Sequence, residues 1–133
     1  MHILDPFVGT GNFKVRVMQE IKTSKLQYKY EHELHCNEVM LLPYYIASMN
    51  IEHEYFEKTG DYKPFEGICL VDTFETLEDT SKVSLFTEKN TERVEEQKRS
   101  HIFVIIGNPP YNANQLNEND NNKNRKYHVI DKR

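Results

Sequence analysis

Apolar positions along this chain fall into two regimes. Short runs that end on a polar residue alternate with longer stretches in which apolar residues recur at helical spacing. The runs cover residues 2–4, 34–37, 67–71 and 102–106, and the first three end at Asp5, Glu38 and Asp72. The fourth ends at Gly107 and Asn108, and it is the most apolar of the four. Continuous runs of this length predict strands covered on both faces rather than half-solvated ones. Between the first two, Phe13, Val17, Met18 and Ile21 predict a helix over residues 12–22, with Lys14, Arg16, Gln19 and Glu20 outward and Asn12 as its cap. Residues 23–33 are polar and read as a loop or frayed end. A longer helix is expected over 40–58, with Pro43 in its first turn, Leu42, Tyr45, Ile46 and Met49 on its buried face, and Gly60 at its C-cap. Its aromatics, Tyr44, Tyr45, Tyr55 and Phe56, read as core and rim packing rather than as a platform for bases. A surface helix over 91–98, with Glu95 and Arg99 one turn apart, precedes the last strand. The asparagine-rich segment 112–124 has little to bury and reads as loop or disordered.

Strands and helices in this alternation imply an α/β fold of parallel strands joined by right-handed crossovers. In such a sheet the ligand crevice lies beyond the C-terminal strand ends. Asp5, Glu38, Asp72 and Asn108 each sit at or just beyond such an end, so all four are expected in one crevice. One acidic residue there is explained by helix capping; four, together with glycines and a Pro-Pro pair, are not. The turn after the first strand carries Gly9 and Gly11, the strand–turn–helix arrangement in which α/β sheets receive adenosine-containing ligands. The motifs at both ends must face one ligand from adjacent strands, so the expected order is 3-2-1-4, with the strand of Leu4 beside that of Ile105.

Composition narrows the class. A length of 133 residues supports one core. The net charge of −4 argues against a self-sufficient DNA-binding surface, although the tail carries Lys123, Arg125, Lys126, Lys132 and Arg133. Two cysteines, Cys36 and Cys69, make no disulfide framework, and no apolar stretch reaches the ~18 residues of a membrane span. The chain therefore reads as cytoplasmic, with both cysteines kept as thiols on neighbouring strands. His32, His35 and Cys36 lack a second cluster at ligand spacing, so no metal site is expected.

Asp5-Pro6-Phe7-Val8-Gly9-Thr10-Gly11 resembles the D-P-F-x-G-x-G motif I of S-adenosylmethionine-dependent amino-methyltransferases, and Asn108-Pro109-Pro110-Tyr111 resembles their N-P-P-Y motif IV. Motif I before motif IV is the order of gamma-type N6-adenine DNA methyltransferases. The wording around residues 33–38 and 71–74 is similar to the methyltransferase part of type ISP restriction-modification enzymes. The resemblance implies a partial Rossmann-like methyltransferase fold that binds S-adenosylmethionine and acts on DNA. It assigns Asp5, Gly9 and Gly11 to the cofactor's methionine end and counts Pro6 and Phe7 among the cofactor-binding residues, with Phe7 either facing the cofactor or packed on the sheet. Glu38 would take the ribose hydroxyls, Asp72 the adenine amino group, and Phe74 would lie against the ring. Residues 1–111 would form the cofactor-binding half of the domain, and 112–133 a polar tail leading to further parts.

Motif IV has a chemical logic of its own. An exocyclic amine is a poor nucleophile because its lone pair is conjugated with the ring. Two acceptors on its two N–H groups favour a pyramidal nitrogen. The Asn108 side-chain oxygen and the Pro109 carbonyl can supply them, and neither proline offers a competing N–H. Tyr111 can stack on a flipped base, a contact worth about 1–3 kcal/mol by analogy with single-strand binders. No metal or covalent nucleophile is required. Other readings remain at this point: an N-P-P-Y enzyme acting on a protein glutamine or an RNA guanine amine, a Rossmann dehydrogenase, or a non-catalytic nucleotide-binding module. The dehydrogenase lacks a full G-x-G-x-x-G, since Phe13 and Lys14 follow Gly11.

The chain opens just before motif I and ends soon after Tyr111. It is therefore expected to be a fragment of a larger chain, inactive alone, with DNA held by other domains. The strand of residues 102–106 would then be an exposed sheet edge, a route to self-association.

Overall fold

In the computed structural model, residues 1–73 and 88–109 are described. Four parallel strands, β1 (His2–Asp5), β2 (Leu34–Glu38), β3 (Ile68–Leu70) and β4 (Ile102–Ile105), form one sheet in the order β3-β2-β1-β4, as expected. Leu4 is registered with Ile105 on one side and with His35 on the other. Helices α1 (Asn12–Glu20), α2 (Thr23–His32) and α3 (Leu41–Thr59) connect the first three strands, and α4 (Glu88–Arg99) precedes β4. The core lies between the sheet and α1–α3, around Met18, Leu26, Tyr30, Leu34, Cys36, Ala47, Ile51, Tyr55, Phe65 and Ile68.

The helices differ from the sequence reading in informative ways. Gly11, not Asn12, is the N-cap of α1, in the left-handed region at φ 89°, and no side chain caps the helix. A Cβ on Gly11 would lie 3.3 Å from the Ala47 Cα, so the glycine and the small Ala47 together let α3 pack against the turn. On α1, Met18 is buried and Val17 and Ile21 pack against the core as expected, whereas Phe13 is exposed and Lys14 faces inward. Lys14 has 0% exposure and its Nζ donates to the Ile3 carbonyl at 3.4 Å. Its four-carbon stem fills a core slot that a binary pattern assigns to an apolar residue.

Residues 23–32 form α2 rather than a loop. Two inward side chains one turn apart, Leu26 and Tyr30, are enough to dock it. Tyr30 stacks on Tyr55 at 4.1 Å, and its hydroxyl donates to the Lys63 carbonyl at 2.7 Å. In α3 the expected inward face is outward: Leu42, Tyr45, Ile46 and Met49 are exposed, Met49 by 69%, while Ala47, Ile51 and Tyr55 are buried. Pro43 lies in its first turn and Gly60 caps its end, as expected. Lys58 Nζ closes the end of α1 by donating to the carbonyls of Met18 and Ile21 at 2.8 and 2.6 Å.

The surface helix appears as the longer α4, in which Glu95 meets Lys98 at 3.7 Å. Asn90 on α4 is buried, and its amide pairs with the free edge of β3: Leu70 N–H donates to its Oδ1 at 2.8 Å and its Nδ2 donates to the Leu70 carbonyl at 3.1 Å. One side chain thus supplies the two bonds a further strand would offer. β4, expected to be covered on both faces, is covered on one: Ile102 and Val104 are half-buried, whereas Phe103 is 77% exposed. Its position at the end of the strand order matches the expected edge. Cys36 is registered with Ile68 and Cys69 with Asn37, so the two free, buried thiols alternate to opposite faces instead of meeting. Burial pushes both up to about 12, which keeps them protonated.

Candidate functional site

Chain order and sheet order together bring the C-terminal ends of all four strands to one rim. β1 ends in Asp5, 1% exposed, whose Oδ1 accepts the Phe7 N–H at 3.1 Å. Burial raises the Asp5 carboxyl above its ordinary range, with the Phe7 N–H and the Lys14 charge opposing that shift. The turn that follows is fixed to β2. Val8 N–H donates to the Asn37 carbonyl at 3.0 Å, and Gly9 N–H donates to Glu38 Oε2 at 2.9 Å. Glu38 Oε1 accepts from Val39 N–H at 3.2 Å and Met40 N–H at 3.1 Å. Of the roughly four lone-pair directions of a carboxylate, three are thus occupied by backbone donors.

β3 is tied in next. Val71 N–H donates to the Glu38 carbonyl at 2.8 Å. Thr73 Oγ1 donates to the Pro6 carbonyl at 2.7 Å and accepts from Asn37 Nδ2 at 3.2 Å. Asp72, half-buried, lies between these two attachments. On the other side, Ile106 N–H donates to the Leu4 carbonyl at 3.0 Å, which carries the chain past Asp5. Gly107 then passes so close that a Cβ there would lie 2.7 Å from Asp5 Oδ1 and 3.3 Å from Pro6 Cδ. Asn108 and Pro109 follow, both exposed.

Asp5, Pro6, Phe7, Gly9, Gly11, Glu38, Asp72, Asn108 and Pro109 are therefore all on this rim. Phe74, Pro110 and Tyr111 lie outside the described residues, as does segment 112–133. Sequence reasoning passed over Lys14, Asn37, Thr73 and Gly107. Thr73 and Gly107 each adjoin a residue that was marked, and the polar Asn37 inside an apolar strand was the available signal. The trio His32, His35 and Cys36 is split: His32 lies beside Glu31 at 3.7 Å, whereas His35 is bonded to His2 at 2.8 Å and held down to about 4, chiefly by burial. Among the described residues no group of three or more His, Cys, Asp or Glu could hold a metal ion. None of the described helices is long and apolar enough to cross a membrane.

The arrangement suits an adenosine-containing ligand. A glycine turn leaves the first strand, a carboxylate ends the second, and another polar residue follows the third. These features define a class, α/β proteins with a nucleotide-type crevice at the strand ends. The particular family follows from comparison: residues 1–132 match the model of the N-6 DNA Methylase family, and the chain belongs to that family. No curated protein matches it. Among solved structures it resembles part of a DrdV–DNA complex, with 50% identity and a TM-score of 0.88 over 98% of this chain. It also resembles part of a nuclease-deletion mutant of the Type ISP restriction-modification enzyme LlaGI in complex with a DNA substrate mimic, with 46% identity and a TM-score of 0.82 over 99%. The ATP-dependent Type ISP restriction-modification enzyme LlaBIII bound to DNA gives 44% identity and a TM-score of 0.83 over 98%. The chain spans 13%, 12% and 10% of those three chains.

Proposed function

We propose that this chain is the cofactor-binding half of a methyltransferase domain that methylates the exocyclic N6 amine of adenine in DNA, within a larger restriction-modification enzyme. The observation that carries the reading is the contact of the two motifs: the Gly107 segment leading to Asn108 lies against Asp5 and Pro6 of the glycine turn. Cofactor and target amine would be addressed from two adjacent strand ends.

S-adenosylmethionine, when bound, supplies an electrophilic methyl group. Asp5 and the turn through Gly9 and Gly11 hold its methionine end, with Phe7 beside them. Glu38 accepts a ribose hydroxyl on its one remaining lone-pair direction; a second hydroxyl is accepted only if Gly9 N–H lets go. Asp72 would accept from the adenine amino group, and Phe74 would offer an aromatic face to the ring. Asn108 and the Pro109 carbonyl would accept the two N–H groups of the target amine and aim its lone pair, with Pro110 restricting Pro109 and Tyr111 offering an aromatic face to the flipped base. Catalysis by these residues is positioning of two reactants.

The relatives' DNA complexes and the net charge of −4 support DNA contact through other domains of a larger chain. Residues 1–111 would be the cofactor-binding half and 112–133 the polar connection onward. Alone, the chain would bind cofactor weakly, turn over nothing, and self-associate through the β4 edge.

The test is methyl transfer by the full-length protein to duplex DNA, to RNA and to glutamine peptides, with the methylated product identified by mass spectrometry. The expected product is N6-methyladenine in DNA. Methyl on RNA guanine or on glutamine, or binding of a nicotinamide cofactor in place of S-adenosylmethionine, contradicts the reading. Adenine methylation by the 133-residue chain alone overturns its status as a fragment.

A further inference from the structure

Asn37 and Thr73 do something that the cofactor contacts do not explain. Asn37 is 1% exposed beside Glu38 at the C-terminal end of β2, and its Oδ1 is the one buried side-chain polar atom without a partner among the described residues. An orphaned buried acceptor costs about 1–3 kcal/mol. Core packing alone would be better served there by leucine, which has nearly the same shape and no polar atoms. What the asparagine provides is its other end, where Nδ2 donates to Thr73 Oγ1, which in turn donates to the Pro6 carbonyl. These two bonds join the ends of β1, β2 and β3. Asp72 is then held on both sides, by the Val71 N–H bond to the Glu38 carbonyl and by the Thr73 hydroxyl.

We propose that the Asn37–Thr73–Pro6 chain of hydrogen bonds is a positioning device, which sets the carboxylate of Asp72 relative to the glycine turn so that one ligand can reach both. Neither side chain touches the cofactor in this account; both act through Asp72. The inference rests on the cofactor reading of this crevice given above.

Affinity for S-adenosylmethionine, measured by titration calorimetry on the full-length protein, tests it with Thr73→Val, Thr73→Ser and Asn37→Leu. Thr73→Val keeps the shape and deletes the hydroxyl, and the expected result is an affinity roughly three- to tenfold lower, the range of one net hydrogen bond. Thr73→Ser restores it. Asn37→Leu lowers affinity by a similar factor while the melting temperature holds or rises, which loss of a merely structural residue would not do. In an Asp72→Ala background Thr73→Val should change affinity no further, because its route of action is gone. Unchanged affinity in Thr73→Val overturns the proposal. So does an equal loss with and without Asp72, or, in Asn37→Leu, a loss that tracks a fall in melting temperature. Failure of the unaltered protein to bind S-adenosylmethionine overturns the underlying cofactor reading, and this inference with it.

Discussion

Gly107→Ala isolates the contact between the two motifs. A methyl group there would lie 2.7 Å from Asp5 Oδ1, 3.5 Å from Asp5 Cγ and 3.3 Å from Pro6 Cδ. A carbon and an oxygen need about 3.2–3.4 Å, so roughly half an ångström must be found. Asp5 cannot yield it freely, being buried and held by the Phe7 N–H. Overpacking of this size costs about 1–3 kcal/mol. If Asp5 swings away, the lost bond to a buried carboxylate costs about the same. The expected loss is therefore about 1–3 kcal/mol in chemical denaturation, or about 3–5 °C of melting temperature per kcal/mol at this chain length. Cofactor affinity should fall with it, because Asp5 is displaced. Asp5→Ala in the same chain removes the obstructing atoms, so the alanine at 107 should then cost much less than it does alone. A Gly107→Ala protein within about 0.5 kcal/mol of the unaltered one would refute the contact, as would full additivity with Asp5→Ala.

Asn108→Ala should cut methyl transfer severely in the full-length protein and leave S-adenosylmethionine binding nearly intact, whereas Asp72→Ala should weaken binding first; equilibrium binding beside single-turnover kinetics separates the two. Asp5→Asn should raise stability at neutral pH while abolishing cofactor binding. The Asp5 carboxyl is raised above its ordinary 3.8, so its folded form favours the proton: its contribution is full below 3.8 and is lost as pH rises through the raised value. The stability gap between the two proteins, followed by denaturation across pH, should therefore close on acidification. Asn90→Leu should cost about 1–3 kcal/mol by leaving the Leu70 edge unpaired, again read by denaturation.

The sheet was legible because four apolar runs ending on polar residues admit few parallel arrangements. Placing Asp5 and Asn108 on adjacent strands needed only that both face one ligand. The helix faces were not legible to the same degree. Lys14 counts as polar in any binary pattern, yet its methylenes pack like a leucine. In α3 the larger apolar side chains, Leu42 and Met49, point outward because Gly11 requires the small Ala47 at the contact. Bulk therefore misled where close approach decided the phase. α2 escaped notice because two anchors in ten residues make a weak pattern, though Tyr30 between Tyr55 and Phe65 docks it well. At the site, the marked residues were those that meet a ligand. The ones that hold them in place, Asn37, Thr73 and Gly107, act through contacts between residues far apart in sequence, which spacing does not reveal.

The central claim is that one S-adenosylmethionine site is formed by the ends of β1, β2 and β3 beside the Gly107 segment. Backbone amide chemical shifts of the isotope-labelled 15.8 kDa chain, followed during titration with S-adenosylmethionine, address it directly and register weak binding as well as strong. The account predicts saturable shifts at Gly9, Gly11, Val39, Asp72 and Gly107, with little change along α2 or at the exposed residues of α3. Shifts confined to those helices, or none at millimolar cofactor, would contradict it.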